Sequence, residues 1–195
     1  NGSKIAMVFQ DPMTSLDPTM TIGKQVMEGI LLHKKVDKAT ARARALELLE
    51  LVGITDADLL DIMNIREKIE GIAAYYAAKN INPENARELA HLADLQDFYY
   101  EKWDTDRLRQ VDDAFHDAIC RLGGRHVITD TLIPLHRKTR RYRRLAMEDR
   151  SRTTQTLKEH HAIYEAIAAG NAERAQELMT KHIANAKEHM LKGEY

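Results

Sequence analysis

The sequence predicts an all-α fold, a compact antiparallel helical bundle preceded by a mostly helical appendage. Three observations lead there. Beyond Gly53, apolar residues recur at helical spacing almost without interruption. Four prolines and nine glycines are few for a β-rich chain of 195 residues, and long stretches of Ala, Leu, Glu, Lys and Arg favour helix. Capping and stopping residues then fall at regular intervals between the periodic segments.

Taken in order, Ile5–Phe9 is a short apolar run, a strand or a buried extended segment. Gln10–Pro18 is rich in Asp, Pro, Ser and Thr and reads as a loop. A helix follows over Thr21–His33. Asp37 caps a second over Lys38–Val52, and Gly53 stops it. On that helix Leu48, Leu49 and Val52 form one apolar stripe. The bundle proper is expected as helices over Ala57–Lys79, Pro83–Lys102, Thr105–Leu122, Val127–Met147, Thr153–Ala169 and Ala172–Leu191. Asn82-Pro83 and Asp104 start helices, and Gly123-Gly124 and Gly170-Asn171 end them. Pro134 is expected to kink the fourth. Leu92, Leu95 and Phe98 read as core at helical spacing, and Tyr99, Tyr100 and Trp103 as packing or dimer-interface residues. Short connections favour antiparallel neighbours. The expected domain boundary separates 1–54 from 55–195.

Hydrophobic residues make up 44% of the chain, enough for a core, and charged residues 30%. A formal net charge of -1 gives no electrostatic case for a nucleic-acid or membrane partner. Cys120 is the only cysteine, so no internal disulfide forms, which suits a reducing cytoplasm. No apolar run approaches the roughly 20 residues that span a bilayer. The start, Asn1-Gly2-Ser3, lacks the basic-then-apolar pattern of a secretion signal. A cytoplasmic location is expected.

The chemistry concentrates in four residues. Asp112 and His116 are four apart on one helix and share a face. His160 and His182 lie on the last two helices, equidistant from residue 171 in the connecting turn. Each is then about 16 Å from the turn, at a rise of about 1.5 Å per residue. A carboxylate and three imidazoles can therefore converge inside the bundle. That donor set suits zinc, nickel, cobalt, manganese or iron. Four ligands either close a tetrahedral site or leave two positions open in an octahedral one, and the spacing does not choose. Against this stands the plainer reading that nine histidines in helices pair by coincidence, an inward histidine being more often a hydrogen-bonded core residue. His161 points about 100° away from His160 and reads as surface. His126, His136 and His189 read as solvent or packing residues.

Asp112-Asp113-Ala114-Phe115-His116, Glu159-His160-His161-Ala162-Ile163-Tyr164-Glu165-Ala166-Ile167 and Met179-Thr180-Lys181-His182-Ile183 together resemble the FCD domain, the C-terminal effector-binding domain of the FadR subfamily of GntR transcription regulators. Ile65-Arg66-Glu67-Lys68-Ile69-Glu70, with Ala73, Ala74, Ala77 and Ala78, is similar to that domain's first helix. The resemblance covers about Asp56–Lys192. It implies an antiparallel bundle of six to seven helices, often a homodimer, with a divalent metal, commonly zinc or nickel, held by Asp112, His116, His160 and His182. It also implies a small organic acid bound at the metal and at Arg66, whose planar fork suits a carboxylate. One departure is Gly123-Gly124-Arg125, where the family often has Gly-Asn. The basic run His136–Arg144 is expected on a solvated face, with Arg140 the candidate to turn toward the effector.

Residues Ile5–Pro18 resemble the Q-loop region of oligopeptide and dipeptide ABC-transporter ATPases, and Thr21–Gln25 and Ala45–Ile54 continue the match. The resemblance gives Gln10 contact with the nucleotide's metal and the attacking water. The chain has no Gly-x-x-x-x-Gly-Lys-Ser/Thr loop, no Leu-Ser-Gly-Gly-Gln segment and no apolar strand ending in Asp-Glu. No ATP hydrolysis is expected, and Gln10 is vestigial. No helix-turn-helix with a basic recognition helix precedes the bundle, so specific DNA binding is not expected. The join near Ile54-Thr55 reads as a chimera, natural or engineered. The expectation is a sensing module and not an enzyme. The alternatives are a metal-dependent hydrolase with Asp113 or Glu159 as base, a structural graft, and a peptide-transporter ATP-binding fragment.

Overall fold

A computed structural model describes residues 20–51 and 56–192. The described residues are overwhelmingly helical and contain no strand. The chain divides into two compact units, Asn1–Thr55 and Asp56–Tyr195.

In the first unit, α1 (Ile22–His33) packs on α2 (Lys38–Leu51). Asp37 Oδ1 accepts from Thr40 N at 2.7 Å, capping α2, and Ala41 and Ala45 are buried. The readings made for Ile5–Phe9 and Gln10–Pro18, and the side chains of Leu48, Leu49 and Val52, lie outside the described residues, as does Gln10.

The second unit holds α3 (Asp56–Lys79), α4 (Pro83–Glu101), α5 (Thr105–Leu122), α6 (His126–Lys138), α7 (Arg140–Glu148), α8 (Arg150–Ala168) and α9 (Ala172–Lys192). It is an antiparallel bundle, as its short connections require. Side-chain caps define the starts. Asn82 accepts from the N–H groups of Glu84 and Asn85, Asp104 from Arg107, and Asp149 from Ser151 and Arg152. Each cap is worth about 1 kcal/mol. Gly124 and Gly170 close α5 and α8 at φ 63° and 69°, a left-handed conformation that glycine adopts without a Cβ penalty. Trp103 shares that conformation at φ 52°. Arg150, whose guanidinium lies 4.5 Å from its ring, packs over it. No helix of the described residues is long and apolar enough to cross a membrane.

The longest pairing is α3 against α9. The buried stripe of α3 runs Leu59, Ile62, Met63, Arg66, Glu70, Ala73, Ala74, Ala77 and Ala78. Its second half is all small residues, so the backbones approach closely. The limit is at Gly71, where a Cβ would lie 2.2 Å from Thr180 Oγ1 and 3.0 Å from the Gln176 carbonyl. Gly71→Ala is therefore expected to destabilise the bundle by about 1–3 kcal/mol through overpacking, more than the roughly 1 kcal/mol gained in helix propensity. Denaturant titration checks this, with partial recovery expected in Gly71→Ala/Thr180→Ala.

Two readings of the sequence are corrected. The fourth bundle helix, expected to be continuous over Val127–Met147, is interrupted at Thr139, between α6 and α7, and α6 runs through Pro134. Pro134 is exposed, so solvent reaches the side where its ring removes a helix hydrogen bond. Thr139 is buried, and its hydroxyl lies 3.2 Å from the carbonyls of both Leu135 and His136. A side chain that competes in this way weakens the backbone ladder. The second correction concerns α4, whose buried face is Leu89, Ala93 and Gln96. Leu92 and Leu95 sit one residue step round and are half-buried, and Phe98 is 47% exposed under the Lys102 ammonium. Tyr99 and Tyr100 pack against Leu108, Met147 and Leu157. Cys120 is buried in a separate cluster with Ala73 and Leu132.

Candidate metal centre

His116 sits on α5 one turn after Asp112, His160 on α8 and His182 on α9. Among the described residues, one ring nitrogen from each histidine lies within 4.8 Å of the other two. His160 Nε2 is 3.2 Å from His182 Nε2 and 3.8 Å from Asp112 Oδ1. All four side chains are buried. Phe115 stacks on the His160 ring at 4.6 Å and limits its rotation.

The outer nitrogen of each imidazole has its own acceptor. His116 Nδ1 donates to Glu70 Oε2 at 2.8 Å, His160 Nδ1 to Gln96 Oε1 at 2.7 Å and His182 Nδ1 to Glu159 Oε2 at 2.7 Å. An ionised carboxylate or an amide oxygen only accepts, so those Nδ1 atoms carry the proton. In the neutral ring the inner Nε2 is then a bare lone pair. Burial pushes the pKa of His116 down to about 4, against the pull of Glu70. Burial, reinforced by His182, holds that of His160 well below the usual imidazole range. Two lone pairs facing at 3.2 Å have no hydrogen between them, and a cation there satisfies both. Acceptors on the outer nitrogens also orient metal-binding histidines and raise their basicity. The donor set fits a divalent ion.

The carboxylates stay ionised despite burial. For Asp112 burial works upward, but Arg143, His116 and His160 outweigh it and hold its pKa far down. For Glu70 burial is likewise overcome, by Arg66, His136 and His116. Glu159 is lowered to about 2, because the bond from His182 and the Arg152 charge exceed the effect of burial.

A cavity of about 60 Å³ adjoins the cluster, with Asp112, His116 and His182 in its wall. Arg66 lines it, only 2% exposed. Its Nε donates to Glu70 Oε1 at 2.5 Å and its Nη1 to Thr139 Oγ1 at 3.1 Å. From the basic run, Arg143 and not Arg140 reaches this wall. Arg143 Nη1 donates to Asp112 Oδ2 at 2.9 Å, whereas Arg140 is 40% exposed and bonds Asp113 at 3.0 Å. Arg152 is the third arginine in the wall, with both Nη atoms 3.2 Å from Glu159 Oε2.

Sequence reasoning missed Glu70, Arg143 and Arg152. Glu70 had a usable signal, since it continues the stripe Met63–Arg66–Ala73–Ala77, where a solvated glutamate does not belong. His136 is corrected from a solvent or packing role. It is buried and bridges Asp117 Oδ1 at 2.7 Å and Glu70 Oε1 at 3.1 Å. His161 is half-exposed and bonds Asp97 at 2.8 Å. His126 is exposed, and His189 bonds Asp149 at 2.9 Å.

Comparison with known proteins separates the chain into two parts. The N-terminal part is similar to peptide-transporter ATPases. It is 61% identical over 59 residues to the dipeptide transport ATP-binding protein DppD of Lactococcus lactis, covering 30% of this chain and 17% of that protein. It is 60% identical over 53 residues to the oligopeptide transport ATP-binding protein OppD of Bacillus subtilis, covering 27% and 15%. The chain thus spans under a fifth of these relatives' length. Among solved structures, Escherichia coli McbR/YncC superposes with a TM-score of 0.66 at 16% identity, covering 89% of this chain and 99% of that one. A GntR protein of Streptococcus agalactiae gives 0.61 at 17%, covering 87% and 88%. At such identities these two show the shared fold. The FCD domain family matches over residues 61–185, well over half of the chain, and the chain belongs to that family.

Proposed function

We propose that residues 55–195 form the ligand-sensing domain of a GntR-type regulator. A divalent ion, zinc or nickel, is held by Asp112, His116, His160 and His182, and a small organic acid binds at that ion and at Arg66. The observation that carries this reading is the set of three imidazoles that bring one ring nitrogen each within 4.8 Å of one another, each ring fixed at Nδ1 by Glu70, Gln96 or Glu159. A bound ion supplies a Lewis-acidic point for a carboxylate oxygen. Arg66 supplies the planar donors beside it. The domain acts as a homodimer in which ligand occupancy shifts the bundle's preferred state.

The hydrolase alternative needs a free base. Asp113 is held by Arg109, Arg140 and Arg143, and Glu159 by His182, Arg152 and Asn185. Neither is placed to take a proton from water, which favours the binding module. The two resemblances meet near Ile54-Thr55, and we read the chain as a fusion whose first 54 residues bring no catalytic machinery.

Elemental analysis of the purified chain tests the metal, and titration calorimetry with acetate, before and after chelation, tests the ligand. Acetate binding is expected only in the metal-loaded protein. Arg66→Lys keeps a positive charge beside Glu70 but loses the fork. It is expected to weaken acetate about tenfold, or about 1.4 kcal/mol, with metal affinity retained. Equal acetate affinity in wild type and variant would remove Arg66 from the site.

A further inference from the structure

The cavity wall has two characters, and together they define what fits it. Each of its three arginines is already paired with a carboxylate, before the charge of any metal is added. Arg66 is paired with Glu70 at 2.5 Å, Arg143 with Asp112 at 2.9 Å and Arg152 with Glu159 at 3.2 Å. The three arginines therefore offer no surplus charge. One donor stands out, the buried Arg143 Nε, which has no hydrogen-bond partner. The other half of the wall is apolar, formed by Met63, Ala146, Met147, Ile183, Ala186 and Met190. Methionine side chains adapt to apolar bodies of varied shape.

We infer that the cavity selects a monocarboxylate carrying an apolar body, and selects against a second carboxylate on the same ligand. The inference rests on the carboxylate-sensing reading above. A first carboxylate meets the metal, the Arg66 donors of that reading and the vacant Arg143 Nε. Away from the metal, a second finds the methionine wall, the uncharged hydroxyls of Thr139, Tyr142 and Thr156, or an arginine already paired with Asp112 or Glu159, and none of these is a free counter-charge. Separating such a buried pair leaves another charge uncompensated. A methylene placed there is instead removed from water.

The test is titration calorimetry on the nickel-loaded full chain with acids of matched length. From propanoate to pentanoate, affinity is expected to rise roughly fourfold per methylene, the equivalent of burying one CH₂. Butanoate is expected to bind at least about tenfold more tightly than butanedioate, and pentanoate than pentanedioate. Diacids binding as tightly as their monoacid isosteres would overturn this inference and leave the sensor reading intact. Nickel-loaded protein that binds neither kind of acid overturns both. A second arm uses Met190→Lys, a half-buried wall position near the end of α9. The new ammonium is expected to shift the ratio toward butanedioate at least about tenfold. An unchanged ratio would show that the ligand body does not lie on this wall, and the assignment fails.

Discussion

His160→Ala is expected to lose tight metal binding while the bundle stays folded. A structural zinc site with four ligands is worth about 10–16 kcal/mol in apparent binding free energy, so one ligand carries on the order of 3 kcal/mol, a hundredfold or more in affinity. His160 gives the clearest reading of the site. It is fully buried, its Nδ1 bonds an uncharged partner, Gln96, and its Nε2 approaches both His182 and Asp112. Removing it breaks no ion pair with a carboxylate on Nδ1, unlike removal of His116 or His182. Competition titration with a chromophoric chelator measures the loss, and circular dichroism checks the fold. Wild-type affinity in the variant would mean that the three imidazoles do not act together on an ion.

The larger effect on stability is expected from Glu70→Ala. This carboxylate accepts from Arg66 Nε, His116 Nδ1 and His136 Nε2, all buried. Its removal leaves the Arg66 guanidinium, 2% exposed, without a counter-charge. Breaking a buried pair from one side costs about 3–5 kcal/mol, a large share of the roughly 5–15 kcal/mol that a domain possesses. The double change Arg66→Met/Glu70→Leu is expected to recover most of the loss, because no lone charge then remains. Midpoints of urea denaturation separate the two. A single variant no less stable than the double would remove the ion-pair explanation.

The same site makes the metal-free domain sensitive to acid. Above the ordinary imidazole pKa of 6.5, the His116 ring is neutral both folded and unfolded. Between 6.5 and about 4 the unfolded chain takes up a proton that the folded ring refuses. Stability falls across that window, by roughly 3 kcal/mol from this ring. From the ordinary glutamate pKa of 4.5 downward, Glu70, whose pKa is lowered in the fold, adds loss in the same direction, because the unfolded chain takes up a proton that the folded carboxylate refuses. A bound ion also favours the unprotonated ring, so metal is expected to carry stability to lower pH. Thermal melts with and without chelator between pH 7 and pH 4 measure both effects.

The architecture was legible because helix ends are local. Asn82-Pro83, Asp104, Gly123-Gly124 and Gly170-Asn171 write their caps and stops in neighbouring residues, and these depend little on what the helix packs against. The approach of His160 to His182 was legible because a short turn fixes the register of two helices. The inner polar layer was harder. Arg66, Glu67, Lys68 and Glu70 look alike as charges, and only the crossing of α3 over its neighbours decides that Arg66 and Glu70 turn inward while Lys68 stays outside. Arg143 sits in a run with six basic residues in eight positions, where no apolar periodicity marks the inner face. Thr139, where the helix is interrupted, also accepts from Arg66, seventy-three residues away, a contact that no local pattern encodes. Phe98 was misplaced by one helical step, about 100°.

The position of Cys120 also bears on how copies of this chain meet. It is the sole cysteine, enclosed with Ala73 and Leu132, and burial together with the nearby Glu70 charge pushes its thiol pKa far up. The reactive thiolate is thus almost absent while the bundle is intact. Oxidants and electrophiles find nothing to attack, and no covalent bridge can join two folded copies. Any cross-linked species seen on a non-reducing gel is a record of chains that had opened.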